Sequence, residues 1–244
     1  MGDIRTETVR YAAGGRTMRS HLAFDAAQRG RRPGIVIFSE WWGLNDYLER
    51  RARELAGLGY VALAADIYGE GRTATDAKEA GELMNGLFAD MDGTSERIRA
   101  ALAALAARPE VDAVRLGAMG YCMGGALALH AARLGLDLRG VVSFHGSLDR
   151  THAARKGDVK AKVLICQAGD DSFVPAEQLE SFRKEMQELG VDLEVVVYPG
   201  ARHAFTNPKA TENGQRFGLP LAYDANADRQ SWEKMRTFWT RVLG

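Results

Sequence analysis

The sequence predicts an α/β fold: a mostly parallel central sheet with helices on both faces and a β-hairpin at the N-terminus. Three observations carry that prediction. Apolar runs of strand length alternate with longer segments of helical period from Ile35 to the C-terminus, the pattern of successive βαβ units. A chain of 244 residues, 46% of them hydrophobic, is long and apolar enough to bury a large α/β core. No internal repeat, low-complexity tract or Pro/Ser-rich linker interrupts the series, so residues 1–244 read as a single domain.

The elements follow in order. TETVRY (residues 6–11) and MRSHLAF (18–24) alternate in polarity around AAGG (12–15), which reads as a hairpin at one edge of the sheet. The later strands are IVIF (35–38), VALA (61–64), a run ending in RLGAM (115–119), VVSF (141–144), VLIC (163–166) and VVVY (195–198). Helical periodicity covers 47–58, 94–107 with Pro109 just beyond, 123–134, 176–189 and 228–242. Residues 68–91 read as a loop with a broken helix. Residues 204–226 read as a long polar loop, a kind of segment that often walls a pocket.

Composition narrows the function. Lys+Arg and Asp+Glu both number 32, so no net field draws the chain to a phosphate backbone or an anionic membrane, and a small-molecule partner is expected. The first residues are charged where a signal peptide needs an apolar core, and no run nears the ~18 apolar residues of a membrane span. The expectation is a cytoplasmic protein, a monomer or small homo-oligomer. Two cysteines, Cys122 and Cys166, make neither a disulfide framework nor a four-ligand zinc set. No metal-ligand or phosphate-loop spacing occurs, so no cofactor is implied.

Chemistry concentrates at GYCMGG (120–125). Gly-x-Cys-x-Gly after a strand and before a helix is the nucleophile-elbow pattern, in which the nucleophile sits in a strained turn and the flanking positions leave no room for side chains. The following helix aims its N-terminus at the thiol, which favours thiolate, and the Met123 amide is a candidate oxyanion donor. A base and an orienting acid should follow in the order acid, then histidine, on loops after later strands. AGDDSFVP (168–175) and PGARHAF (199–205) occupy those places, nominating His203 and either Asp170 or Asp171. Adjacent loop residues point in different directions, so only one aspartate can meet the imidazole.

From Ile35 onward these motifs resemble the dienelactone hydrolase family, a cysteine branch of the α/β-hydrolase fold. The resemblance rests on GYCMGG at Cys122, DSFVP opening with Asp171, GARHAF around His203 and SEWWGLN at Glu40. It implies a Cys122–His203–Asp171 triad cleaving a small ester or lactone through an acyl-enzyme, and favours Asp171 over Asp170. It also implies that Glu40 takes the thiol proton when substrate binds, and that Trp41 gives a second oxyanion amide beside Met123. Glu40 suits this independently, because a carboxylate at the end of an apolar strand beside Trp41 and Trp42 is partly desolvated, which favours its protonated form. The family's substrate-carboxylate clamp is not matched: 71–85 lacks an Arg-x-x-x-Tyr, and the position after His203 reads TNP (206–208). Arg72, Lys78 and Arg202 read as solvated surface groups more readily than as substitutes for that clamp, and Cys166 reads as core. His145, at a strand end on the side of the catalytic loops, is open between substrate contact and structural hydrogen bonding. A non-hydrolytic thiol sensor and an acyltransferase are the alternatives on the same residues.

Overall fold

The computed structural model describes residues 2–244, and the chain divides into two units, Met1–Met119 and Gly120–Gly244. The first unit contains β1 (Ile4–Ala13), β2 (Arg16–Asp25), β3 (Arg32–Phe38), α1 (Asp46–Gly57), β4 (Val61–Ala64), α2 (Ala77–Ala89) and α3 (Met91–Ala106). It also holds most of β5 (Val111–Tyr121). Its strand order is β1-β2-β4-β3-β5. β1 and β2 form the expected antiparallel edge hairpin, with Ala13 opposite Arg16. Gly14 and Gly15 between them have φ of 55° and 69°. Two successive positive φ values define the turn whose twist matches that of the flanking strands, and glycine adopts them without strain.

β4 runs parallel to β3, from Gly34 opposite Val61 to Ile37 opposite Ala64. Ile35 to Phe38 are wholly buried, with α3 packed on β3 and α1 on β2 and β4. At Gly34 a Cβ would lie 2.9 Å from a Leu116 methyl and 3.1 Å from Leu105 and Val111, so the packing there excludes any side chain. Helix starts are capped by Asn45, Asp76 and Asp90, each accepting a backbone N–H of the first turn.

The stretch 68–91, read from sequence as a loop with a broken helix, contains a regular helix, α2. Asp76 caps it and Glu79 accepts the Thr75 N–H, but only Ala80 and Leu87 of its residues are buried. Two buried positions leave almost no apolar stripe to read.

The second unit contains α4 (Met123–Arg133), β6 (Gly140–Phe144), β7 (Lys162–Ala168), α5 (Ala176–Leu189), β8 (Leu193–Tyr198), α6 (Ala210–Phe217) and α7 (Ala225–Leu243). β6, β7 and β8 are parallel neighbours in that order, so their C-terminal ends and the loops that leave them lie on one side. α7 packs on β6 and β7, burying Phe238 and Trp239. It lies so close at Gly140 that a Cβ would come within 2.9 Å of Phe238, Trp239 and Val242. Within 204–226, read as loop, stands α6, with only Ala210 and Gly214 buried and Gly218 in the left-handed conformation at its end. Its polarity hid it, as with α2. No helix among the described residues is long and apolar enough to cross a membrane.

Candidate active site

β5 ends at Tyr121, α4 begins at Met123, and Cys122 alone makes the turn. Its φ of 53° and ψ of −119° are a conformation that side chains rarely adopt, worth roughly 1–3 kcal/mol of strain. Backbone bonds hold it there: the Cys122 N–H donates to Phe144 O at 3.0 Å, and the Cys122 carbonyl accepts from Gly125 at 3.0 Å and Ala126 at 3.3 Å. The glycines are a steric requirement. A Cβ on Gly120 would stand 2.0 Å from the Gly124 carbonyl oxygen, and Cβ atoms on Gly125 and Gly146 would stand 2.4 and 2.5 Å from Ser143 Oγ.

Because the Gly120 clash is with backbone, Gly120→Ala should either destabilise the fold by more than the ~1–3 kcal/mol of ordinary overpacking or displace the elbow. Denaturant melts with a parallel thiol-alkylation rate check this; a variant with wild-type stability and alkylation contradicts it. Met123 opens α4, so its amide belongs to the helix end whose N–H groups and dipole favour negative charge.

His203 lies on the loop after β8, and its Nδ1 donates to Asp171 Oδ2 at 2.9 Å. Asp171 is itself fixed from the loop after β7: its Oδ1 accepts the Phe173 N–H at 2.9 Å, and its Oδ2 faces Gln167 Nε2 at 3.4 Å. With Nδ1 committed to the carboxylate, Nε2 is the nitrogen left for proton transfer. Burial by itself lowers the His203 pKa, but the charge of Cys122 and hydrogen bonds with Asp171 and Cys122 outweigh it and push the pKa up to about 10. These influences favour the imidazolium form of His203, with the Asp171 carboxylate on one side and the Cys122 sulfur among its partners. Cys122 keeps partial exposure.

Asp170 takes no part in this arrangement: it is exposed and lies 3.9 Å from the exposed Arg202 guanidinium. Arg202 is thus turned toward Asp170 on the surface. In the first unit, Arg72 pairs with Glu79 at 3.0 Å and the exposed Lys78 lies 3.9 Å from Glu82. Cys166 is wholly buried, with Tyr198 Oη 3.8 Å from its sulfur. Burial pushes its thiol up to about 12.

Also in the first unit, Glu40 follows β3 and is 4% exposed. The adjoining loop is braced at three points. Gly43 donates to the Glu40 carbonyl at 3.1 Å, the Tyr68 hydroxyl to the Trp41 carbonyl at 2.8 Å, and Ala74 to the Trp42 carbonyl at 3.0 Å. Gly43 has φ of 85°, and a Cβ there would lie 2.6 Å from Arg72 O. The Trp41 and Trp42 rings meet edge to face at 5.0 Å.

Three residues near His203 were not singled out as functional by the sequence. Phe173, 48% exposed, sets its ring edgewise on His203 at 5.0 Å. Gln167 supports Asp171. His145, wholly buried, packs its ring 5.2 Å from that of His203. FHGS (144–147), at the end of a strand in the half that carries the elbow, was the only available signal for His145. Among the described residues no group of His, Cys, Asp or Glu could hold a metal ion.

A strand–elbow–helix unit followed by acid and histidine loops on parallel strands defines the α/β-hydrolase class. Residues 18–243 match the model of the dienelactone hydrolase family, and the chain belongs to that family. A Salmonella typhi protein whose name proposes carboxymethylenebutenolidase activity is 30% identical over 241 residues, covering 94% of this chain and 85% of that protein. Protein usf of Aquifex pyrophilus is 28% identical, covering 97% of this chain and 99% of its own. The crystal structure of a dienelactone hydrolase-like promiscuous phosphotriesterase from metagenomic libraries superposes with a TM-score of 0.94 at 37% identity, both chains being covered in full.

Proposed function

We propose that this hydrolase cleaves a small ester or lactone through Cys122, His203 and Asp171 by way of an acyl-cysteine. One observation carries the reading: His203, on the loop after β8, is bonded through Nδ1 to Asp171 at 2.9 Å, and Cys122 is the other partner whose charge and hydrogen bond push its pKa up. In acylation the Cys122 sulfur adds to the substrate carbonyl carbon. The carbonyl electron pair moves to oxygen, which the Met123 amide at the start of α4 stabilises; the family resemblance assigns the second donor to the Trp41 amide. The tetrahedral adduct collapses, the carbon–oxygen bond to the leaving alkoxide breaks, and the His203 imidazolium supplies that alkoxide with its proton.

Acylation also removes the negative sulfur, the largest influence raising the His203 pKa. The neutral imidazole then accepts a proton from water, hydroxide attacks the thioester carbonyl, and the acid and the thiolate–imidazolium pair are regenerated. Because the free-enzyme imidazolium persists to about pH 10, the acylation rate should hold toward that pH and fall above it as the leaving-group acid is lost. Burst kinetics with p-nitrophenyl acetate from pH 6 to 11 measure this, and a fall centred near pH 7 would contradict the assignment.

Glu40, buried after β3, is given by the family pattern the task of taking the proton from the thiol form of Cys122 when substrate arrives, which yields the thiolate that attacks and that pairs with the His203 imidazolium. Glu40→Gln should slow acylation by about 10²-fold or more with little change in melting temperature. A variant with unchanged kcat/KM removes Glu40 from the mechanism. The deciding experiment for the whole reading is intact mass after exposure to an ester and to a panel of lactones. An acyl adduct on Cys122 that decays at the turnover rate supports it. Reversible oxidation at low peroxide with no acyl adduct favours a thiol sensor. Decay that needs an acceptor alcohol or amine favours an acyltransferase. The cytoplasm is the compartment proposed, since a reducing environment keeps the thiol nucleophilic.

A second reading is favoured by the 37% identity to the promiscuous phosphotriesterase. The same sulfur attacking phosphorus would expel an aryl oxide and leave a phosphorylated cysteine for hydrolysis. Paraoxon turnover beyond a single stoichiometric burst would support it.

A further inference from the structure

We propose that His145 is a positioning residue of this site, its ring serving as the spacer that sets the separation between the Cys122 elbow and the His203 imidazole. The inference rests on the role given to His203 above. His145 follows β6 directly, and its backbone is built into the elbow. The carbonyl of the preceding residue, Phe144, accepts the Cys122 N–H at 3.0 Å, and the His145 N–H donates to Cys166 O at 2.9 Å. Its ring lies 6.2 Å from Tyr121, the residue before the nucleophile, and 5.2 Å from each of His203 and Phe205. Nε2 is hydrogen-bonded to Thr206 Oγ1 at 2.8 Å, three residues beyond His203. One wholly buried ring thus touches the residue before the nucleophile, the base itself and the turn that carries the base.

That turn has little freedom of its own. Ala204 is held at φ 62°, Asn207 donates to Ala204 O at 2.9 Å, and Asp224 donates to Phe205 O at 3.0 Å. His145 itself sits at φ 41°, a conformation that a non-glycine residue keeps only when its surroundings over-determine it. The Asp171 bond fixes Nδ1 and so the tautomer of His203. The bond at Nδ1 by itself does not fix the plane of the imidazole, and the edge-to-face contacts with His145, at 66° between planes, and with Phe173, at 68°, oppose its rotation. Of the two rings only His145 is wholly buried and tied to the elbow. The Thr206 bond keeps the His145 ring from rotating away. A misplacement of about 1 Å between reacting groups can cost about 10²-fold in rate, so the spacer's effect falls on kcat.

The test uses the full-length enzyme with p-nitrophenyl acetate. His145→Ala removes the ring. His145→Asn also removes it but tolerates positive φ. His145→Phe keeps the ring without the Thr206 bond, and Thr206→Val removes the hydroxyl at similar volume. His145→Ala and His145→Asn should each lower kcat by about 10²-fold at near-constant KM. His145→Phe and Thr206→Val should lose less. In all four, NMR titration should find the His203 pKa below about 10, since the imidazole has moved from the sulfur; a purely structural role would not move that titration. Circular dichroism melts report folding, and if the Ala and Asn variants do not fold, His145→Phe and Thr206→Val decide. Wild-type kcat and an unmoved titration in those two overturn the proposal, as does full recovery in His145→Asn, which would assign the effect to backbone strain. His203→Gln is made in parallel: if it retains activity, the base assignment itself fails and the spacer with it, whereas inactive His203→Gln beside fully active His145 variants overturns the spacer alone.

Discussion

Cys122→Ala should lower ester turnover by roughly 10⁴-fold or more, abolish the acyl adduct in intact mass spectra, and leave the melting temperature within a few degrees of wild type. The loss is large because nothing else in the site can form the covalent intermediate; the other cysteine, Cys166, is buried in β7 with its thiol pushed up to about 12. The stability is preserved because alanine at φ 53° carries the same strain as cysteine, and the bonds that hold the turn, to Phe144, Gly125 and Ala126, are made by the backbone. Cys122→Gly sharpens the point: glycine adopts this conformation freely, so the variant should unfold at no lower denaturant concentration than wild type although it has lost a side chain. Such a result would identify the turn as a place where stability is given up for a nucleophile. If Cys122→Ala hydrolyses p-nitrophenyl acetate at the wild-type rate, the cysteine mechanism is wrong.

Asp171→Asn is the second large effect, a fall in kcat on the order of 10³–10⁴-fold, the scale seen when a triad acid is made neutral. The carboxylate accepts from His203 Nδ1 at 2.9 Å, which reserves Nε2 for the proton transfers. An asparagine can present its amide N–H instead, and the tautomer reverses. Two of the influences that raise the His203 pKa, its hydrogen bond to Asp171 and the charge of that carboxylate, vanish together. The direction is therefore downward from about 10, and the imidazolium becomes scarcer at neutral pH just where it must protonate the leaving group. NMR titration of His203 in wild type, Asp171→Asn and Cys122→Ala separates the contributions; an unmoved titration in both variants would leave the pKa without its assigned cause. Asp170→Asn, altering only an exposed group beside Arg202, should leave kcat/KM within about twofold of wild type.

The motif order made Cys122, His203 and an aspartate legible before any coordinate, because a nucleophile elbow needs small residues at fixed offsets and its partners must follow on later strand loops. Which aspartate serves could not be read from DD itself. The family resemblance favours Asp171, and it is the Asp171 carboxylate that meets both the Phe173 amide and His203, while the Asp170 N–H bonds Ala201 O at 2.9 Å. In the sequence His145 stands at a strand end on the side of the catalytic loops, open between substrate contact and structural bonding. Its proposed importance comes from contacts with Tyr121, His203, Phe205 and Thr206, three of them about sixty residues away, and no local pattern encodes contacts at that separation.

Alternation of apolar runs and helical periods is a property of the sequence alone, and it determined the strands, the long helices and the edge hairpin, because burial of a strand or helix face is written in the spacing of its own side chains. α2 and α6 escaped for the same reason: each buries only two residues, and caps rather than apolar stripes begin or end them. Only tertiary structure decided the contacts of the site: the Asp171 bond to His203 Nδ1, the balance of burial and charge that raises the His203 pKa and the ring of His145 beside it. Those depend on distance and on exclusion of water, which act between groups remote in sequence and exist only once the chain has folded.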